Sequence, residues 1–204
     1  VSMNQDSVKV ELSLNDLKLR LKNIRKILIN EHQSLFLDQL DDLILKVEIF
    51  GYHFATLDIR QDSRIHSYVF NKIIKKIKPN KFNNYTRSKY IEKSNFLSSI
   101  HGDFKPSFFS DELVSSTLGS IRAMQKIQKS NGESGCHRYI ISNNQTAINI
   151  LEVFTMFKIS GWKKNTFDII PLFETISDLD IAVEIMDKIY SCLLYTSPSP
   201  RDRQ

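Results

Sequence analysis

From residue 138 to residue 190 the chain alternates short apolar runs with longer helical patterns, and this alternation limits its possible folds more than any other feature. Tyr139-Ile140-Ile141 reads as a short strand. Asn143 or Asn144 stands where a cap is needed for a helix whose face includes Ile148, Leu151, Phe154 and Met156, and Gly161 breaks that helix. FDIIPLFE then reads as a buried strand ending at Glu174, and Thr175 with Asp178 forms a capping box for a last helix. Strand–helix–strand–helix order argues for a parallel sheet with right-handed crossovers.

Upstream the pattern is mostly helical. Ser13 with Asp16 reads as a capping box, and Leu14, Leu17, Leu21, Ile24 and Leu28 form one apolar stripe. A second helix carries Leu37, Leu40, Ile44 and Val47, with Gly51 as its stop. In HFATLDIR, Ala55, Leu57 and Ile59 alternate with Thr56, Asp58 and Arg60, the period of a strand with Arg60 at its C-terminal end. A helix from about Arg64 carries Ile65, Val69, Ile73 and Ile77 and is ended by Pro79. Residues 80–110 read as loop and short helix, and Ser110 as the cap of a helix running to about Ser130. The expected fold class is α/β, predominantly helical.

Composition removes other classes. With 41% hydrophobic and 25% charged residues this is an ordinary globular chain, neither disordered nor low-complexity. Six Gly and five Pro are too few for a turn-rich β-sandwich. No apolar run is long enough to span a bilayer, so no membrane partner is expected. Two cysteines and an N-terminus without an apolar leader fit a reducing, cytoplasmic setting. Val1 is not an initiator Met. The stretch from Cys192 to Gln204 has no period and resembles translated read-through of a sequencing adapter. We therefore expect residues 1–191 to be native and 192–204 to be a non-native tail.

Two residues stand out chemically. Asp58 and Arg60 point to the same face of their strand. A guanidinium there suits a phosphate or carboxylate, but a structural Asp58–Arg60 ion pair explains it equally well. Glu174 emerges directly after an apolar strand, where a carboxylate must be solvated, paired or metal-bound. It suits a hard cation such as Mg²⁺, or simply the N-terminus of the following helix. The five histidines show no zinc spacing, and His66 lies one turn beyond Asp62, within bonding reach of it. No phosphate-binding loop, dinucleotide fingerprint or nucleophile elbow is present. The run Lys72, Lys75, Lys76, Lys78 and Lys81, with Tyr85, Arg87, Lys89 and Tyr90, reads as a solvated helix face. Its alternative is a basic helical nucleic-acid-binding module.

At Phe50 to His66, FGYHFATLDIRQDSRIH resembles the D-[IL]-R-Q-x-S block of phosphoenolpyruvate carboxylases. RYIISN resembles the family's second strand block, and IIPLFETISDLD its P-L-F-E-T segment. The blocks occur in family order across residues 8–190. The resemblance implies an eight-stranded α/β barrel embedded in helices, with this chain supplying strands one to three. It implies a Mg²⁺- or Mn²⁺-dependent lyase, usually a homotetramer, that joins phosphoenolpyruvate and bicarbonate into oxaloacetate and inorganic phosphate. Nucleic acid is not among its implied partners. Arg60 matches the arginine that contacts substrate phosphate, and Glu174 one of the two metal carboxylates; Gln61 is given no role.

Two departures accompany the match. Asn143-Asn144 stands where many relatives have Met-Ala, and Asp62 replaces the Glu of other branches. The family's catalytic histidine, second metal carboxylate and glycine-rich loop have no counterpart within residues 1–191. The chain by itself is therefore expected to be inactive and a poor autonomous folder, with unpaired edges on a three-stranded sheet. A non-catalytic scaffold of the same ancestry is the remaining rival.

Overall fold

The computed structural model describes residues 12–192, and the tail expected to be non-native lies, apart from Cys192, outside them. The chain divides into two units at Ala55–Thr56. In the first, α1 (Leu14–Glu31) and α2 (Leu37–Phe50) run as the apolar stripes require. Ser13 caps α1 by accepting from the Asp16 N–H, and Gly51 closes α2 at φ 51°. Arg25 grips Asp41 through two nitrogens at 2.6 and 3.0 Å, which raises the guanidinium pKa and lowers that of the carboxyl.

The second unit holds a parallel sheet of order β1-β2-β3: β1 (Asp58–Asp62), β2 (Arg138–Ser142) and β3 (Asp168–Pro171). Arg60 lies opposite Ile140, and Ile141 opposite Pro171. Pro171 has no N–H to give, but it is the last residue of β3, and Leu172 N–H resumes the ladder on the Ile141 carbonyl at 2.9 Å. β1 begins and ends later than the alternation in HFATLDIR suggests. Ala55 and Leu57 precede it, and Arg60 is its middle residue rather than its end. The reason is pairing: β2 offers partners only from Arg138, which sits against Asp58.

Between β1 and β2 the chain makes a helical excursion. α3 (Ser63–Ile77) follows β1 without a loop, because Asp62 closes the strand and caps the helix by accepting from Arg64 N–H at 2.8 Å. Pro79 does not merely end α3. It occupies the first turn of α4 (Pro79–Arg87), where its missing N–H costs nothing. α5 (Tyr90–Ser98) follows, so residues 80–110 are more helical than their Asn/Lys-rich composition implies. α6 (Glu112–Asn131) is capped by Asp111, not Ser110, through the Val114 N–H at 3.2 Å.

α7 (Ala147–Ile159) joins β2 to β3, and α8 (Ile176–Tyr190) follows β3. Ten of the thirteen α7 residues are buried, so this is a helix enclosed on all sides rather than one with a single apolar face. Its cap is Thr146, in a box closed by Asn149 Oδ1, which accepts from Thr146 N–H at 3.1 Å. Neither Asn143 nor Asn144 caps it: Asn143 takes a left-handed φ of 51° and Asn144 is fully buried. The core lies on one face of the sheet, where Tyr139, Ile141 and Ile169 belong to one cluster with Val69, Ile73, Leu118 and Phe157. Phe157 and Phe167 stack at 4.0 Å, and Trp162 meets Phe167 edge-on at 5.0 Å. The other set of alternating positions is mixed, with Asp58, Arg60, Arg138 and Asp168 beside half-buried Ile140 and Ile170. The α/β class holds; the described residues form three parallel strands.

Candidate functional site

Three parallel strands end side by side, and the segments leaving them converge on Glu174. This carboxylate sits three residues beyond β3, in the turn before α8, not at the strand end itself. Its Oε1 accepts from Arg60 Nη2 at 2.6 Å, and its Oε2 from the Asn143 N–H at 3.0 Å. A residue of β1 and one just after β2 thus meet a group from beyond β3. The structure brings together the two residues that the sequence singled out, 114 positions apart.

Arg60 does not pair with Asp58. Asp58 accepts instead from Arg138 Nε at 2.8 Å, on the neighbouring strand. The Arg60 and Glu174 side chains are 55% and 42% exposed, open enough to be reached by a ligand. Arg60 spends one nitrogen on Glu174, and the rest of its fork has no partner among the described residues.

The neighbouring contacts hold this arrangement. Asn143 is held from the β1 side, since Ser63 Oγ donates to its carbonyl. Gln145 Nε2 donates to Asn143 Oδ1 at 3.3 Å and to Asp178 Oδ1 at 2.7 Å. Asp178 Oδ2 accepts from the N–H groups of Glu174 and Thr175, at 3.1 and 3.0 Å. These donors, Gln145 foremost, hold the Asp178 pKa below its ordinary value. Asp62, at the end of β1, is bound by the Arg64 side chain and pushed down to about 2. Gln61 only accepts from the Asp62 N–H, at 3.0 Å.

Sequence reasoning found Asp178 as a cap but missed its second duty; it found Ser63 only as a member of the D-[IL]-R-Q-x-S block, with no role, and missed Gln145. Nothing local marks the roles of those two, because their partners lie 80 and 33 residues away. His66 was expected to bond Asp62. It is buried and instead shares a hydrogen bond with Tyr139 Oη at 3.0 Å, and burial pushes its pKa down to about 4.

Glu174 offers the hard oxygen that Mg²⁺ prefers. No group of three metal-ligating side chains converges among the described residues, so they form no metal site by themselves. The basic run is engaged locally. Lys72 reaches Asp111 at 3.8 Å, and Lys76 caps the Phe108 carbonyl while lying 4.4 Å from the centroid of that residue's ring. Lys75, Lys78 and Lys81 are exposed, as a solvated helix face requires. No helix among the described residues is long and apolar enough to cross a membrane.

A family model described as phosphoenolpyruvate carboxylase matches residues 4–202. Curated relatives of that name include one from Prochlorococcus marinus strain MIT 9301, 29% identical over 93% of this chain. One from a Synechococcus species is 31% identical over 92% of it. The matched stretch is 20% and 18% of those relatives, so the chain spans about a fifth of their length.

Proposed function

Because the chain belongs to the phosphoenolpyruvate carboxylase family, we propose that Arg60 and Glu174 form part of a carboxylase active site in a protein of the family's full length. The observation that carries this reading is the Arg60–Glu174 pair, in which Arg60 from the middle of β1 reaches Glu174 just beyond the C-terminal end of β3. In α/β barrels that end is where chemistry is done, which supports reading β1 to β3 as the first three strands of an eight-stranded barrel. The substrates are then phosphoenolpyruvate and bicarbonate, and the products oxaloacetate and inorganic phosphate.

In this reading Arg60 binds the phosphate of phosphoenolpyruvate through the part of its fork that Glu174 leaves unused. A guanidinium so placed offsets charge on the phosphoryl group as it passes to bicarbonate. Glu174 does two things: it orients Arg60, and it supplies one oxygen to Mg²⁺ or Mn²⁺. That cation, when bound, stabilises negative charge developing on oxygen. The remaining groups would come from parts of the protein beyond these residues, so the chain alone should not turn over. Homotetrameric assembly and a cytoplasmic setting complete the proposal.

The test uses the full-length enzyme. Glu174→Gln should leave the fold intact and raise the Mg²⁺ or Mn²⁺ needed for activation at least tenfold, since even groups that only orient a metal ligand typically contribute about 10- to 100-fold. Arg60→Lys keeps the charge but not the fork, and should lower kcat/KM for phosphoenolpyruvate. Unchanged metal activation in the first variant, or normal kcat/KM in the second, removes that residue from the site.

A further inference from the structure

We infer that Gln145 and Asp178 are a positioning pair for Glu174, with Gln145 tying the segment after β2 to the start of α8. This deepens the reading above and rests on it for the role of Glu174.

A capping box needs one reciprocal pair of hydrogen bonds. Thr175 caps α8, and Asp178, three residues on, accepts from the Thr175 N–H while its own N–H bonds Thr175 Oγ1 at 3.1 Å. That reciprocal pair is complete with one carboxylate oxygen. Here Asp178 is 4% exposed and does more. Its Oδ2 also takes the Glu174 N–H, which orients the peptide from which the Glu174 side chain leaves. Its other oxygen, which the cap does not use, takes Gln145 Nε2 at 2.7 Å.

Gln145 carries the link onward. The same Nε2 reaches Asn143 Oδ1 at 3.3 Å, and the Asn143 N–H holds Glu174 Oε2 at 3.0 Å. Asn143 can present that N–H because it sits at φ 51°, a region that Asn tolerates better than most residues. Glu174 is therefore held twice through one amide, at its backbone through Asp178 and at its carboxylate through Asn143. Neither Gln145 nor Asp178 contacts Glu174's side-chain oxygens directly, so both act through other groups. The benefit is preorganisation: a half-exposed carboxylate on a turn has several rotamers, and ligand-orienting partners typically contribute about 10- to 100-fold to metal affinity.

Three variants of the full-length enzyme test this, read by Mn²⁺ binding (loss of the free-ion electron paramagnetic resonance signal) and by amide hydrogen exchange. Gln145→Met keeps length and loses the donor. It should weaken Mn²⁺ binding ~tenfold and speed exchange at the Asn143 and Glu174 amides, while KM for phosphoenolpyruvate moves less. Gln145→Lys restores a donor toward Asp178 and should return both readouts to near the parent values. Gln145→Glu sets like charge against Asp178 and should be the weakest. Parent-like Mn²⁺ binding and exchange in Gln145→Met overturns the inference. Failure of Gln145→Lys to recover either readout also overturns it, since general loop damage would then explain the loss. Glu174→Gln is the control: if it leaves Mn²⁺ binding intact, the metal role of Glu174 falls, and the exchange rates alone still decide whether the clamp exists.

Discussion

Glu152 and Glu174 each accept two side-chain or backbone hydrogen bonds, yet they stand for two different parts of the molecule. Glu152, on the enclosed helix α7, is 4% exposed. It takes Tyr85 Oη at 2.6 Å and Ser67 Oγ at 3.0 Å, and Asn149 Nδ2 in turn donates to Ser67 at 3.2 Å. Burial pushes the Glu152 pKa up, against the pull of those donors. Its partners are neutral hydroxyls from α3 and α4, so the network joins those helices to α7 and serves stability. Glu174 is nearly half exposed, and its partners are a guanidinium and a strained backbone amide. Desolvation is small there, so an ion pair contributes little to folding and stays available to a ligand. Interior polar groups that must be satisfied hold the helices together, while rim groups can be spared for chemistry.

The comparison is broken most easily at its interior end. Glu152→Ala leaves the buried Tyr85 hydroxyl and the half-buried Ser67 hydroxyl without their acceptor and opens a cavity, and should cost about 4 kcal/mol. Urea denaturation of parent and variant measures this, and a loss under about 1 kcal/mol would make Glu152 no more structural than the rim. The next largest effect is in pH. His66 is buried, and its pKa is pushed down to about 4 from 6.5. Below pH 6.5 the unfolded chain takes up a proton that the folded chain refuses until about pH 4. Its stabilising effect is thus full above 6.5 and is lost as pH falls toward 4, about 3 kcal/mol in all. Asp62, lowered from 3.8 to about 2, acts in a separate and lower window, with its stability present above 3.8 and lost as pH falls through 2. Stability measured from pH 7 to 4 should decline less steeply in His66→Gln; an identical slope would place the titration elsewhere. At the rim, Arg60→Ala should change stability by less than about 1 kcal/mol, and a larger loss in the same denaturation series would mean that Arg60 is structural.

Much of this contrast was legible in residue order. The capping box at Thr175, the stop at Gly51 and the strand around Tyr139-Ile140-Ile141 follow from local rules and occur, while at Ser13 only the cap half of the expected box forms. Arg60 and Glu174 were visible as charges beside apolar strands. Other elements were not. Thr146 was missed as a cap because its box is closed by Asn149, where the usual pattern has Glu or Gln. α4 and α5 were legible only as short helix without number or bounds, because short polar helices carry weak periodicity and depend on packing, here through Tyr85 and Leu97. The pairs that sequence spacing allows, Asp58–Arg60 and Asp62–His66, do not form, because each acid has a better-placed partner in space.

By itself, then, the sequence determined the elements and their order, because caps, turns and hydrophobic periods act within a few residues. It also determined the family, since three motif blocks in order survive without any coordinates. Only the tertiary structure decided that Arg60 meets Glu174, that Asn143 turns its N–H toward the same carboxylate, and that Gln145 bridges to Asp178. Those contacts span 31 to 114 residues. Hydrogen bonds need donor and acceptor within about 3 Å, and only the parallel pairing of β1, β2 and β3 brings such distant positions that close.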